Sequence, residues 1–209
     1  MRPIIALLFG FAATLPLQAA RYAIIFGTNY TGNTADIPPL HLCEADARLM
    51  ERTLRDQGQF TDARVLLGTQ VTASAIQSTL AEFGRKVGGN DTVVIYFSGH
   101  GTTQYNASTR NKTENTLIMF NRPHVTDDTL NGWVKQIRSK KTVLIFDACY
   151  SGGIAGKGNQ VRGAGDIPVP PGESGTIIQD GDEDSFFQGK AIIGSSGHNE
   201  TSIEIGGMI

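Results

Sequence analysis

Apolar and polar positions along the chain fall into two rhythms. Residues 22–27 form a short, apolar, β-rich run and predict a strand. Residues 44–57 follow helical spacing, with Ala45, Leu49 and Leu54 assigned to one side. A short strand is expected at 64–67. Thr72 stands where a helix N-cap belongs, and Ile76, Leu80, Phe83 and Val87 recur as a helical stripe. Gly88-Gly89-Asn90 ends that helix. Residues 92–97 and 142–146 are continuously apolar, the pattern of strands covered on both faces in a parallel sheet. Between them, 102–116 read as a loop or hairpin and 116–121 as a short strand. Thr126 caps a helix whose face is Leu130, Trp133, Val134 and Ile137. Residues 151–189 hold Gly, Pro and acids with little periodicity and predict a long loop. Strand character returns at 190–195.

Strands that alternate with helices predict an α/β sandwich around a mostly parallel central sheet. In such sheets, ligands sit at the carboxyl ends of the strands. The length, 209 residues, suits one domain with a real core. Hydrophobic residues make up 40% and charged residues 18%, a globular balance. The net charge is −2 and no basic block exceeds Lys140-Lys141, so nucleic acid is not an expected partner.

The first residues change the picture of where the protein works. Arg2 is followed by an uncharged apolar stretch, 4–15, and by Leu17-Gln18-Ala19, which has the small-residue form of a cleavage site. The reading is a signal peptide over 1–19 and a domain over 20–209. It implies a secreted or periplasmic protein with no membrane attachment after cleavage. The stretch is short of the roughly 20 residues a membrane span needs, and an uncleaved anchor is the alternative. There are two cysteines, Cys43 and Cys149. In an oxidising compartment a disulfide between them is one reading, and separate thiols are the other.

The candidate chemistry lies at the ends of the two continuous apolar runs. Ser98-Gly99-His100-Gly101 follows the first, and Asp147-Ala148-Cys149-Tyr150-Ser151-Gly152 follows the second. A thiol attacks a carbonyl as thiolate, and a neighbouring imidazole can take its proton and later protonate a leaving amine. The tetrahedral oxyanion then needs preorganised donors. Gly101, with no side chain beside His100, and the backbone N–H of Cys149 fit that need. Each motif alone has a plainer reading, as a turn, a capping acid or a packed thiol. Their order and strand context together point to a cysteine peptidase with a His100–Cys149 pair. A nucleotide-binding domain is disfavoured: Gly27-Thr28-Asn29-Tyr30 stands after the first strand, where a phosphate-binding glycine loop would be.

Phe97-Ser-Gly-His-Gly101 and Phe146-Asp-Ala-Cys-Tyr-Ser-Gly-Gly153 resemble the caspase-like cysteine peptidases, and within them the metacaspase and bacterial orthocaspase branch. The two reactive residues are about 50 positions apart, as in caspases. The resemblance implies a His100–Cys149 dyad with an oxyanion hole from Gly101 and Cys149. It also implies cleavage of peptide or protein substrates after Arg or Lys. Asp46, in Leu40-His-Leu-Cys43-Glu-Ala-Asp46, Ser98 and Asp147 would form the pocket for that basic side chain. Cys43 would then be a pocket-wall residue. Two carboxylates in a desolvated pocket favour a guanidinium or ammonium on physical grounds too.

Many metacaspases use calcium, and the resemblance makes Asp127 and Asp128 calcium candidates; helix capping is their plainer role. Asp180, Asp182, Glu183 and Asp184 read as a solvated acidic loop. Lys157 and Arg162, in the long loop, are candidate autoprocessing sites. The sequence ends sooner after Glu204 than those of family members do, so the expectation is either a fragment or a fold trimmed at its C-terminal edge. That leaves a catalytically incompetent, truncated binding module as the alternative function.

Overall fold

The structure is a computed structural model and describes residues 19–33, 37–106, 112–148, 176–178 and 190–194. The chain runs β1 (Arg21–Gly27), α1 (Cys43–Asp56), β2 (Asp62–Leu67), α2 (Ala73–Lys86) and β3 (Thr92–Ser98). It continues through β4 (Gly101–Asn106), β5 (Lys112–Leu117), β6 (Val125–Thr126), α3 (Asp127–Val134) and β7 (Lys141–Asp147). Two further strands are β8 (Thr176–Ile178) and β9 (Lys190–Gly194). The main sheet has the order β2-β1-β3-β7-β9-β8. Its first five strands are mutually parallel, and β8 lies antiparallel on the edge. This is the α/β sandwich with a mostly parallel sheet that the pattern predicts.

Alternation along each strand splits the core in two. Ile24 and Phe26 of β1, Ile95 and Phe97 of β3, and Leu144 and Phe146 of β7 face α2 and α3. Ala23 and Ile25, with Val94 and Tyr96, face α1. Both halves of β1 and β3 are buried, as expected for strands covered on two sides. β7 departs from that expectation. Thr142, Leu144 and Phe146 are buried, but Val143 and Ile145 are only partly covered, because α1 lies over β1–β3 and stops short of β7.

Helix starts match the sequence signals. The Thr72 hydroxyl accepts from Ala75 N at 3.2 Å, and the Thr126 hydroxyl accepts from Thr129 N at 3.3 Å. The face of α1 differs from the expected one. Cys43 and Ala47 are buried, with Met50 and Leu54 packed beside them. Ala45 is exposed and Leu49 is 50% exposed. The 4-3-4 spacing of Cys43, Ala47, Met50 and Leu54 sets the stripe, and it was hidden by a small residue and a thiol.

The stretch at 102–116 is a hairpin, β4 against β5. The strand expected at 116–121 is replaced by the end of β5. Beyond it, Ile118 N donates to His100 O at 2.9 Å and Phe120 N to Val71 O at 2.9 Å, so the donors go to loops instead of a ladder. α3 ends at Val134, and Ile137 is buried in the turn that follows. Within the long stretch 151–189, β8 is formed; the rest lies outside the described residues, as does 1–18 of the expected signal peptide.

Candidate active site

β1 leads to β2 on one side of it in the sheet and β3 leads to β7 on the other, so the order β2-β1-β3-β7 has its switch point between β1 and β3, where parallel sheets place a crevice at the carboxyl ends of the strands. β3 and β7 run in register, with Ser98 opposite Asp147. Gly99 N donates to Asp147 O at 3.1 Å, which carries the ladder one residue further. His100 and Cys149 each come two positions after that matched pair in sequence. Cys149 itself lies outside the described residues, and so do Lys157 and Arg162.

His100 is held from three directions. Its Nε2 is 2.8 Å from Pro38 O. A carbonyl only accepts, so Nε2 is the donor in this contact, and in the neutral ring the lone pair is on Nδ1. Its backbone N donates to the Tyr30 hydroxyl at 2.9 Å. Its ring lies against the Tyr30 ring, with centroids 4.9 Å apart and a tilt of 32°.

Tyr30 was not singled out from the sequence. It is 1% exposed, and it adopts a φ of 58°, a region a bulky side chain rarely occupies. Its hydroxyl donates to Ile118 O at 2.6 Å. Burial pushes the phenol pKa well above its usual value, opposed by the His100 hydrogen bond. Gly99 makes room for it, since a Cβ there would lie 2.6 Å from the Tyr30 hydroxyl.

Two asparagines shape the loop that carries Tyr30 and Pro38. Asn33 Nδ2 donates to Tyr30 O at 2.7 Å and to Ile37 O at 2.8 Å. Asn29 Oδ1 accepts from Glu44 N at 3.2 Å, while Glu44 Oε1 accepts from Asn29 N at 3.4 Å. Leu42, at the N-cap of α1, has no capping side chain, so Asn29 satisfies that helix end from a distance. A short polar residue after a strand was the available signal.

Beside this crevice is a cavity of about 310 Å³ lined by Asp46, Leu49, Met50, Thr53, Tyr96 and Asp147. α1 supplies the first four, β3 supplies Tyr96 and the end of β7 supplies Asp147. Burial, followed by the Asp147 charge, raises the Tyr96 phenol pKa far above its usual value, and Asp46 adds to it. The nearby Ser98 hydroxyl acts in the opposite sense. Both acids named from the sequence therefore reach one cavity and one buried phenol. Ser98 is 1% exposed, and its hydroxyl makes no well-formed hydrogen bond among the described residues. Cys43 is buried and not disulfide-bonded in the structure. Gly101 opens β4 opposite Leu117.

A caspase-domain family model matches residues 20–203. The chain belongs to the caspase-domain cysteine peptidases. Metacaspase-4 of Arabidopsis thaliana is 25% identical over 143 residues, which cover 63% of this chain and 34% of that protein. The chain thus spans about a third of that relative's length. Among solved structures, the protein GSU0716 from Geobacter sulfurreducens aligns with a TM-score of 0.55 at 22% identity, over 64% of this chain and 52% of that one. That likeness is one of fold.

The calcium candidates lie away from the cavity. Asp127 is buried, with Oδ1 accepting from Asp128 N at 2.8 Å and Oδ2 accepting from Asn115 Nδ2 at 3.4 Å. Both acids sit in the first turn of α3, where the helix dipole favours them. The described residues contain no group of three or more His, Cys, Asp or Glu placed to hold a metal ion. One buried carboxylate among amides is poor in charge for tight calcium binding, which takes six to eight oxygens.

Proposed function

We propose that this protein is an endopeptidase that cleaves after Arg or Lys through a His100–Cys149 dyad. The observation that carries the reading is the convergence of Asp46 and Asp147 in one cavity, beside the strand ends from which His100 and Cys149 follow. A guanidinium or ammonium entering that cavity meets two carboxylates, and Leu49 and Met50 offer apolar surface to its alkyl stem. A substrate carboxylate would meet like charge. Ser98, buried beside Tyr96, is the third residue assigned to the pocket.

The tautomer fixed by Pro38 gives the dyad its direction. Nδ1 of His100 takes the thiol proton of Cys149, and the thiolate attacks the scissile carbonyl carbon. The oxyanion is held by the N–H groups of Gly101 and Cys149. The His100 imidazolium then protonates the leaving amine as the C–N bond breaks. Water, deprotonated by His100, hydrolyses the acyl-enzyme and frees the thiol. Lys157 and Arg162 are the positions where such an enzyme would cut itself; purified active protein that stays one intact band would oppose that.

Turnover of fluorogenic peptides with Arg, Lys or Asp at the cleaved position, under reducing conditions beside Cys149→Ala, tests the proposal. Arg or Lys turnover that disappears in the variant supports it. Asp turnover would overturn the pocket assignment. No turnover by folded protein would favour a caspase-like binding module.

A further inference from the structure

The polypeptide is anchored one residue before β1. Ala20 N donates to Asp91 Oδ1 at 2.9 Å, and Ala20 O accepts from Thr92 N at 2.9 Å. Asp91 is itself fixed. Its Oδ2 accepts from Gly88 N at 2.7 Å, its N donates to Gly88 O at 3.2 Å, and its carbonyl accepts the Ser139 hydroxyl at 2.6 Å. Ala20 is half-buried and Ala19 is exposed.

We propose that hydrolysis of the Ala19–Ala20 bond by a signal peptidase turns the Ala20 amide into an α-ammonium group seated on the Asp91 carboxylate, pinning the new N-terminus to the loop before β3. The reaction consumes one water. Its oxygen bonds to the Ala19 carbonyl carbon, the C–N bond breaks, and the products are an Ala19 carboxylate and an Ala20 ammonium. The donor already aimed at Asp91 thereby gains a full charge, and a charge-assisted hydrogen bond is stronger than a neutral one.

The geometry separates this bond from its neighbours. Cleavage after Ala20 would remove both partners of the anchor and leave Asp91 Oδ1 and Thr92 N without them. Cleavage before Ala19 would place the ammonium one Cα step outward, about 3.8 Å away and on an exposed residue. Thr92 begins β3 and Ser98 ends it, so the seat is at the opposite end of the sheet from His100. It acts on the N-terminus and not on the dyad.

The test uses the full chain, exported and purified. Intact mass should place the N-terminus at Ala20. An amine-directed acylating reagent at neutral pH should then modify the Ala20 nitrogen about fivefold more slowly in wild type than in Asp91→Asn, because the pair must open first. If Asp91→Asn does not fold, wild type alone decides: 1 M salt, which screens ion pairs, should accelerate acylation of Ala20. An uncleaved chain, an N-terminus other than Ala20, equal acylation in both proteins, or indifference to salt would each overturn the proposal. None of these readouts depends on peptide turnover.

Discussion

Tyr30 ties the loop after β1 to the turn after β3 through one hydroxyl that bridges His100 N and Ile118 O. Tyr30→Phe would leave a half-buried N–H and a half-buried carbonyl without that bridge, at about 1–2 kcal/mol. The expected result is a kcat lower by roughly tenfold, since about 1.4 kcal/mol is one decade in rate, with KM near wild type. A variant with lowered Tm and unchanged kcat would restrict Tyr30 to stability. The same burial gives a pH dependence. Tyr30 and Tyr96 hold their protons to higher pH than unfolded tyrosines, whose pKa is about 10. Above that pH the unfolded state binds fewer protons, so stability is intact below about pH 10 and falls above it. The slope is up to about 1.4 kcal/mol per pH unit for each phenol. Urea unfolding from pH 9 to 11 should show this slope, reduced in Tyr96→Phe; an unchanged slope would contradict the assignment.

At the scale of elements, the turn after β3 is the most tightly specified piece. A Cβ on Gly99 would come within 2.6 Å of the Tyr30 hydroxyl and 3.0 Å of Phe97 Cζ, both in buried side chains. Gly99→Ala should therefore lower stability by about 1–3 kcal/mol and shift His100, with kcat/KM down more than tenfold. Gly132, inside α3, has nothing within 4 Å of such a Cβ, and Gly132→Ala should leave Tm level or raise it. Comparable Tm losses in the two variants would refute the steric account.

The elements also divide by what made them legible. β1, β3 and the caps of α2 and α3 were readable because apolar runs and Thr72 or Thr126 carry their signals locally. The face of α1 was not, because Cys43 and Ala47 are weakly hydrophobic and the more apolar Leu49 points to the cavity. Asn29 and Tyr30 carry no local signal because their partners lie further along the chain, at Glu44, His100 and Ile118.

For the whole molecule, the sheet order sets the site. The switch in strand order between β1 and β3 positions the crevice, the β3–β7 register sets Ser98 beside Asp147, and α1 brings Asp46 across to the end of β7. The motifs were plain in sequence, yet that two carboxylates 101 residues apart share one cavity is a property of packing. Under the proposed function, it is also what would favour a basic side chain over an acidic one. The measurement that tests this most directly is kcat/KM for matched peptides ending in Arg and in Gln, for wild type, Asp46→Asn and Asp147→Asn. The account predicts a strong preference for Arg in wild type that falls by at least tenfold in each variant, the order of one charge-assisted contact. An Arg preference unchanged by both substitutions, or a wild type that prefers Gln, would contradict it.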